Sequence, residues 1–554
     1  MSVNDGPETE PAGNATSAPP EPEVADSPRS APPVTPSPWR ALAAVGLSLL
    51  LPGAGHLLIG RRKRAYLFFA IDAVILIAAA WLLSLGTIGL LKLLVQPRWV
   101  RAVIAANVVL GLFRVAAALD VALIVRPRLE RYLALGATGV FLILLVVPHM
   151  FVMTRALSLL GVLEDVFPSE GHIAAAFELR RLEVEQARAE GSQGPVTDGS
   201  TTTSAAVNPD LPDGSVVPHF DDPGAPDLED IELNRVTVLL AGGDAGPGRG
   251  GLRTDTMIVA SLDINTGQGV LITISRELTG FPLSSALQTH GGVVSRQELI
   301  WAAAQAAEAG GYTQATELLP LERDPSIWLD RINALYPFTR EAGYLYPNDA
   351  RPGMAALSDS VSRALGIHVD YYVLVDFAGF VDLVDALGGV TVTSRETMNI
   401  RMSPAKEGEE DLILHITPGR HTLDGRSALV YVRNRTDTSD IVRTRRQRCF
   451  VREVVAQVQA STIVSRFDRI AGAIRRYAIT NIPVAVLPDL IQVVAELDRS
   501  NIATMAIQPG SLAGTINYRG LPIINIPSTQ AAVRSVIRGL ESGVPTIDGS
   551  ECGN

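Results

Sequence analysis

The chain has 554 residues, with 58 acidic side chains, 47 Lys or Arg side chains and a formal net charge of −11. This length is enough for several domains, and the acidic balance excludes a general electrostatic attraction to nucleic acid. Hydrophobic residues make up 47% of the chain, which is high for a soluble protein and indicates membrane spans. The two cysteines, Cys449 and Cys552, have no zinc-type spacing. They could form one disulfide if the C-terminal part faces an oxidising compartment.

The first part of the chain predicts a tail and a membrane block. Residues 1–39 are rich in Pro, Ser, Ala and Glu and contain few large apolar residues. We predict disorder there, because such a segment cannot bury enough apolar surface to offset the entropy lost on ordering. Residues 40–154 form the membrane block. Three segments in it approach the roughly 20 apolar residues that a spanning helix needs: 66–85, 100–125 and 132–153. The apolar run 41–59 is broken by Pro-Gly-Ala-Gly at 52–55, so it is either a fourth span or a re-entrant hairpin.

The basic loops predict the orientation of the spans. Basic residues at 61–64 and at 126, 128 and 131 flank the spans on one side, which the positive-inside rule assigns to the cytoplasm. Everything after residue 153 is then extracytoplasmic. We therefore expect a multi-pass plasma-membrane protein with its C-terminal domain outside the cell.

The rest of the chain predicts a linker and an α/β domain. Residues 155–230 divide into an amphipathic juxtamembrane helix to 190 and a flexible linker from 191, rich in Gly, Ser, Thr, Pro and Asp. Residues 231–540 alternate strand-like and helical runs, and 541–554 form a tail. We predict strands at 235–241, 257–263, 270–274, 371–375 and 390–393, and helices at 354–365 and 442–463.

Two aspartates flank a glycine-rich loop in this domain. Asp244 lies just after one predicted strand, and Asp255 stands just before the next. The run 246–251 matches G-x-G-x-x-G, but a dinucleotide site needs a helix after the glycines, and this chain enters a strand. Two carboxylates on short side chains at strand ends suit Mg²⁺. A turn residue and a loop cap explain the same spacing equally well.

Two further motifs lie downstream. Arg276 and Glu277 follow a buried strand, where α/β proteins place ligand contacts, although a surface ion pair is an equal alternative. Arg331 and Asn333 belong to a stretch that we interpret, with the Gly-Gly turn near 389, as mostly scaffold. His368 receives no role, because a lone histidine is usually structural.

Arginines concentrate near the end of the domain. Five lie within one short segment: Arg433, Arg435, Arg443, Arg445 and Arg446. Their planar forks fit phosphate, although a solvated helix face is the ordinary alternative. We place Arg433 and Arg435 on a strand end, pointing the same way, and Arg443 and Arg446 on one helix face beside Gln447.

Taken in order, GxD, RTDT, SRE, NA, LxxLGGV, LDGxxALxYVRxR and DxxRxxRQ resemble the LytR-CpsA-Psr family of extracytoplasmic phosphotransferases over roughly residues 231–540. The resemblance implies a mixed-sheet α/β domain with a hydrophobic lipid tunnel, after an all-α membrane block of three to four helices. It implies that Asp244 and Asp255 hold Mg²⁺, with Mn²⁺ as a substitute. It implies a pyrophosphate grip by Arg253, Arg276, Arg433, Arg435, Arg443, Arg446 and Gln447. The implied catalytic residues are Asp255, Arg276, Glu277 and Arg435.

The implied reaction moves a glycopolymer from a polyprenyl-pyrophosphate donor to a peptidoglycan acceptor at the membrane, with no part for nucleic acid. Asp255 or Glu277 could accept the hydroxyl proton. A lipid-pyrophosphate phosphatase and a non-catalytic lipid-glycan-binding regulator remain alternatives. The Arg and Ala bias suits a GC-rich, actinobacterium-like source.

The chain departs from the family pattern at three places. It has Thr-Ile-Ser-Arg-Glu at 273–277, where the family usually has Ser-Ile-Pro-Arg-Asp. Residues 297–330 resemble an insertion, and several spans replace the family's common single anchor. The longer Glu277 could alter the rate or the choice of acceptor.

Overall fold

The computed structural model describes residues 38–124, 128–167, 235–244, 252–309, 325–340, 351–402, 410–434, 440–497, 502–513, 515–516 and 521–541. Residues 1–37 of the predicted tail 1–39, residues 168–190 of the predicted juxtamembrane helix, the linker at 191–230, Arg435, Cys552 and most of the predicted C-terminal tail lie outside these residues. Residues 38 and 39 begin a helix, so the tail prediction was wrong there. The chain divides into two compact units, Met1–Ala70 with Phe113–Ile143 and Ile71–Leu112 with Leu144–Asn554.

The N-terminal part is helical. Its helices are α1 Pro38–Leu50, α2 Ala54–Leu58, α3 Arg62–Ser84, α4 Gly86–Leu94, α5 Pro97–Ile124 and α6 Arg128–Asp165. Among the described residues, three segments are long and apolar enough to cross a membrane: Arg62–Ser84, Pro97–Ile124 and Val146–Asp165. The third lies later than the predicted 132–153. Helix α6 continues without a break through residue 154, where we had placed the end of the membrane block.

The run 41–59 forms a helical hairpin and not a span. Helix α1 has 13 residues and therefore rises about 20 Å, short of the roughly 30 Å hydrocarbon core. Gly53 turns the chain with a φ of 99°. A Cβ on Gly55 would lie 1.9 Å from the Ala44 carbonyl oxygen, so only glycine permits this close return.

A buried histidine ties this hairpin to α5 within the same unit. His56 is fully buried, stacks on Phe68 with ring centroids 4.7 Å apart, and places Nε2 2.9 Å from Asp120 Oδ2. Arg64 donates to the other carboxylate oxygen at 2.6 Å. The charge of Asp120, which would be costly against lipid, is thus paired.

The C-terminal part is built on a six-stranded sheet of order β11-β6-β1-β2-β3-β12. The strands are β1 Arg235–Gly243, β2 Thr254–Asp263, β3 Gly269–Ile274, β4 Phe281–Pro282, β5 Ile327–Trp328, β6 Tyr371–Asp376, β7 Val390–Ser394, β8 Met398–Met402, β9 Leu412–Ile416, β10 Gly419–Leu423, β11 Ala478–Thr480, β12 Ile502–Ile507, β13 Thr515–Ile516 and β14 Pro522–Ile523. The predicted strands are all present, which confirms a mixed-sheet α/β fold.

Helices cover this sheet. They are α7 Ser285–Gln288, α8 Gly291–Ala309, α9 Leu335–Thr339, α10 Pro352–Leu365, α11 Phe377–Leu387, α12 Gly425–Arg433, α13 Asp440–Gln457, α14 Ala460–Ser465, α15 Phe467–Tyr477, α16 Leu487–Glu496 and α17 Ile526–Glu541. The predicted helix 354–365 is confirmed, with Pro352 at its start and Gly366 in the left-handed conformation at its end. The predicted helix 442–463 is two helices, α13 and α14.

Successive side chains of β1 alternate between the two faces of the sheet and pack into a different apolar cluster on each face. Leu239 and Ala241 join the main core with α10 and α17, whereas Val236 and Val238 join a second cluster with Tyr371. Period-two burial of this kind is what a strand covered on both sides requires.

The helices flanking the second and third spans pack against this domain inside the same compact unit. Leu94 and Val100 share an apolar cluster with Leu159, Val484 and Leu487. Lys92 of α4 donates to Gln492 of α16 at 3.4 Å, and Arg475 of α15 lies 2.6 Å from Asp165 of α6. These contacts join α4 and the end of α6 directly to the sheet domain.

Candidate active site

The predicted site residues meet at one edge of the six-stranded sheet. Strand β1 pairs antiparallel with β2 and parallel with β6, and β2 pairs antiparallel with β3. The carboxyl ends of β1, β3 and β6 therefore lie at the same edge as the start of β2. This is the edge at which open α/β sheets bind ligands.

A β-bulge sets the position of the second aspartate. Gly242 faces Thr256 and Gly243 faces Thr254, so Asp255 is the extra residue between two paired positions. A bulge redirects the side chain of the extra residue. The backbone N–H groups of Asp244 and Asp255 both donate to the Arg253 carbonyl, at 2.8 and 3.1 Å. The structure thus brings both predicted carboxylates to neighbouring backbone positions.

The carboxylate of Asp255 is held from two sides. Asn333 Nδ2 donates to Oδ1 at 2.7 Å. Arg276 Nη1, just beyond β3, donates to Oδ2 in a short hydrogen bond. The structure therefore brings Asp255 and Arg276, both predicted site residues, into direct contact.

Asn333 is the site residue that sequence reasoning missed. It lies in a 3₁₀ turn, Ile332–Ala334, and is 3% exposed between buried apolar neighbours. We had interpreted this stretch as scaffold. Two signals were available: the NA motif at 333–334, and an amide inside an otherwise apolar run, since buried polar side chains require partners.

Glu277 lies beside the ion pair of Asp255 and Arg276 and makes only a long contact with it. Its Oε1 is 3.9 Å from Arg276 Nη2, and its side chain is 30% exposed. Arg253, whose carbonyl anchors the two aspartates, is itself exposed. These two side chains are the site groups most open to solvent among those described.

Arg433 is at the end of a helix, and our prediction of a strand end was wrong. Asp424 caps α12 by accepting from the Ser427 N–H at 2.8 Å, and the helix then buries Leu429 and Val432. The Leu-Val-Tyr-Val run at 429–432 favours a strand locally, but the N-cap and the helical spacing of its buried residues prevail. Arg435 lies outside the described residues.

The guanidinium of Arg433 links the two sides of the site. It lies 3.8 Å from the ring centroid of Phe377, and Nη2 is 3.8 Å from Asp244 Oδ1. Stacking on an aromatic face leaves the edge of the fork available to oxygen ligands. Arg433 is therefore placed to contact an anion near Asp244.

The predicted helical arginines are buried. On α13, Arg443, Arg446 and Gln447 are 4%, 7% and 8% exposed. Arg446 Nη1 donates to the carbonyls of Asn434 at 3.1 Å and Tyr431 at 3.4 Å, and Gln447 Nε2 donates to Val432 at 3.3 Å. Arg446 and Gln447 therefore fasten the C-terminal end of α12, a role that the motif did not indicate. Their contact with pyrophosphate stays a prediction.

One further carboxyl group stands at this edge. Asp376 ends β6 in register with Gly243 and caps α11 by accepting from the Gly379 N–H at 2.8 Å. Burial raises the pKa of Asp376 above its usual value, and the hydrogen bonds from the Gly379 and Ala378 backbone N–H groups oppose that rise. Asp376 was not among our predicted site residues.

The donor set at Asp244 and Asp255 fits a magnesium ion that keeps most of its waters. Within the described residues, no group of three or more His, Cys, Asp or Glu side chains could hold a metal. Mg²⁺ commonly binds through one or two carboxylates and completes its shell with water and phosphate. Each carboxylate oxygen of Asp255 retains a lone pair beyond its present hydrogen bond.

The structure describes one of the two cysteines of the predicted disulfide. Cys449, on α13, is disulfide-bonded. Because Cys552 lies outside the described residues, the pairing of Cys449 with Cys552 stays a prediction.

Comparisons with known proteins match the later part of this domain. Residues 311–531 match the LytR_cpsA_psr family model, so Asp244, Asp255 and Arg276 precede the matched stretch. The chain is 31% identical over 185 residues to biofilm regulatory protein A of Streptococcus mutans, covering 32% of this chain and 44% of that protein. It is 32% identical over 183 residues to cell wall biosynthesis protein LcpA of Corynebacterium glutamicum, covering 32% of this chain and 33% of that protein.

The chain thus spans less than half the length of these curated relatives. A crystal structure of B. subtilis TagV is 19% identical, with a TM-score of 0.37, covering 55% of this chain and 98% of that chain. The family-model match over residues 311–531 and the curated relatives support membership of the LytR-CpsA-Psr family, in line with the ordered motifs.

Proposed function

We propose that this protein is a membrane-anchored phosphotransferase that moves a glycopolymer from a polyprenyl-pyrophosphate carrier to peptidoglycan. The observation that carries the proposal is the alternation of carboxylates and guanidinium groups at one sheet edge. Asp255 pairs with Arg276, and Asp244 lies beside Arg433. Such a site suits phosphoryl transfer, which depends mainly on positioning and electrostatic stabilisation.

In the proposed reaction, an acceptor sugar hydroxyl attacks the phosphorus nearer the glycan. A new P–O bond forms to the acceptor, the bond to the bridging oxygen breaks, and polyprenyl phosphate leaves. Arg276, Arg433 and the exposed Arg253 supply positive charge where the pyrophosphate oxygens would lie. A divalent ion held by Asp244 and Asp255, Mg²⁺ or Mn²⁺, would neutralise further negative charge there.

Glu277 is the better candidate for the group that accepts the hydroxyl proton. Both oxygens of Asp255 already accept hydrogen bonds, from Asn333 and Arg276. Glu277 is 30% exposed, and its described ion pair is a long one, 3.9 Å to Arg276. Glu277→Gln should therefore reduce the transfer rate by about 10²–10⁴-fold, the usual range for general acid–base catalysis.

The packing of α4 supports an extracytoplasmic position for the domain. Helix α4 lies between the first two spans, and its Lys92 contacts Gln492 of the sheet domain. This contact supports a common side of the membrane for the loop that contains α4 and for the sheet domain. The basic residues at 61–64 follow the opposite end of α3, which the positive-inside rule places in the cytoplasm.

The proposal is tested with the full chain in lipid nanodiscs. The chain would receive a labelled polyprenyl-pyrophosphate sugar, Mg²⁺ and uncrosslinked peptidoglycan, with Asp255→Ala, Arg433→Ala and Arg435→Ala alongside. Arg445→Ala is the matched control, because Arg445 has no hydrogen bond or ion pair with a described residue. We expect label on glycan strands from the wild type and the control only.

Two other outcomes would contradict the transferase. Free sugar phosphate without labelled glycan would favour the phosphatase. Bound but unreacted lipid would favour a binding module, and that module should also keep its cellular function after Asp255→Ala.

A further inference from the structure

The side-chain amide of Asn333 has one polar atom with a hydrogen-bond partner among the described residues and one without. We call the second atom orphaned. Its Nδ2 donates to Asp255 Oδ1 at 2.7 Å. Its Oδ1 is buried and has no hydrogen-bond partner among the described residues. The whole residue is only 3% exposed, so bulk water does not serve that oxygen.

The orientation of the amide follows from its partner. An ionised carboxylate only accepts hydrogen bonds, so the nitrogen of Asn333 must face Asp255. A flipped amide would set two acceptors 2.7 Å apart. The orphaned atom is therefore the carbonyl oxygen, a good acceptor and a hard ligand.

A buried oxygen without a hydrogen-bond partner lowers the stability of the folded chain unless another group binds it. Leaving a buried acceptor unsatisfied costs about 1–3 kcal/mol. The surrounding turn is apolar, since Ile332 and Leu335 are 0% exposed and Ala334 is 3% exposed. A leucine at 333 would suit these neighbours without that cost, and no described residue provides a partner for the oxygen.

The position of the oxygen identifies that partner. Amide bond lengths place Oδ1 about 2.3 Å from its own nitrogen, so it lies within about 5 Å of Asp255 Oδ1. A divalent ion held by Asp255 would keep some of its waters. An amide oxygen this near the carboxylate is suited to accept a hydrogen bond from such a water.

We propose that Asn333 is a positioning residue of a divalent-cation site at Asp244 and Asp255. Nδ2 holds Asp255 in one orientation, and Oδ1 accepts a hydrogen bond from a water on the bound ion. The inference deepens the proposed function and rests on it only through the cation site. Outer-shell partners orient the side chains that bind a metal ion. Asn333, which belongs to neither the arginine nor the aspartate motifs, would do this for Asp255.

The test measures Mn²⁺ binding by the full chain in detergent micelles, without substrate, from the electron paramagnetic resonance signal of the free ion. Asn333→Leu removes both polar atoms and keeps the volume, and Asn333→Ala serves if the leucine does not fit. Gln297→Ala is the matched control. Gln297 is a second buried amide, which binds the backbone of Ile327 at 2.7 Å and Leu329 at 3.1 Å in the same segment.

We expect Mn²⁺ binding to weaken about 10- to 100-fold in the Asn333 variants, the usual effect of losing an outer-shell partner. The melting temperature of Asn333→Leu should stay close to that of the wild type, because removal of the orphaned oxygen offsets loss of the hydrogen bond to Asp255. Gln297→Ala should show the reverse pattern, with a lower melting temperature and unchanged Mn²⁺ affinity. A purely structural role for Asn333 would instead lower the melting temperature and spare the affinity.

Two results would overturn the inference: a wild-type chain that binds no Mn²⁺, or Asn333 variants that bind it as tightly as the wild type. If those variants still bind Mn²⁺ fully and the wild type transfers glycan, the proposed function stands and this inference fails. If the variants lose Mn²⁺ and the wild type transfers nothing, the inference stands and the proposed function fails.

Discussion

Arg446 is the residue at which the family resemblance and the structure predict different consequences of one substitution. The resemblance makes it a pyrophosphate ligand. In the structure its Nη1 donates to the carbonyls of Tyr431 and Asn434 at the end of α12, and its guanidinium carbon lies 5.5 Å from the Tyr431 ring centroid. We therefore predict that Arg446→Met destabilises the domain, because methionine keeps the apolar stem but removes both hydrogen bonds.

The size of the loss follows from these contacts. A buried hydrogen bond from a charged donor contributes about 1.5–3 kcal/mol, and the contact at 3.4 Å counts for less than the one at 3.1 Å. The aromatic contact adds about 1 kcal/mol. The total is about 3 kcal/mol, which lowers the melting temperature of a domain of this size by about 6–12 °C.

The assay is thermal unfolding of the full chain followed by near-ultraviolet circular dichroism, with Arg445→Met as the control. Arg445 precedes Arg446 on α13 and is half-exposed, and no described residue forms a hydrogen bond or ion pair with it. Its replacement should change stability by no more than about 0.5 kcal/mol. An Arg446→Met variant that melts like the wild type, yet binds polyprenyl pyrophosphate poorly, would refute the anchoring role and restore the ligand role.

Three further predictions follow from the packing around the site. Phe377→Leu removes the ring beneath Arg433, a contact of about 1 kcal/mol, so glycan transfer should slow about fivefold while the melting temperature falls by only about 2–4 °C; an unchanged rate would contradict this. Burial raises the pKa of Asp376, so its stabilising contribution is complete below the unfolded pKa and is lost as pH rises through the folded one. Asp376→Asn should therefore be more stable than the wild type at about pH 7, with a flatter dependence of the unfolding midpoint on pH; a less stable variant would exclude this reasoning. Gly425→Ala would place a Cβ 2.1 Å from the Val381 carbonyl oxygen, which should lower the melting temperature by several degrees; wild-type stability would show that the contact relaxes freely.

Local patterns were sufficient for the elements whose burial is periodic or continuous. The apolar run 270–274 predicted β3, whose six residues are all buried, and the helical run 354–365 predicted α10, which begins at Pro352. The same reasoning failed at α12, because Leu-Val-Tyr-Val has high strand propensity. There the N-cap at Asp424 and packing against neighbouring elements decided the conformation.

The membrane block shows the same division. Length and apolar composition identified the first two spans closely. They did not distinguish a short span from a hairpin at 41–59. That choice depends on Gly55 approaching Ala44 and on His56 meeting Asp120, which lies 64 positions along the chain.

The sequence by itself determined the chemistry that this protein can offer: paired aspartates, closely spaced arginines and apolar spans, all visible as residue types in order. Only the tertiary structure decided which of them act together. Asp255 meets Arg276 across 21 positions and Asn333 across 78, and Arg446 turns to the backbone of α12. The physical reason is that partners so far apart are chosen by strand register, a single bulge and helix packing, none of which leaves a local periodic signal.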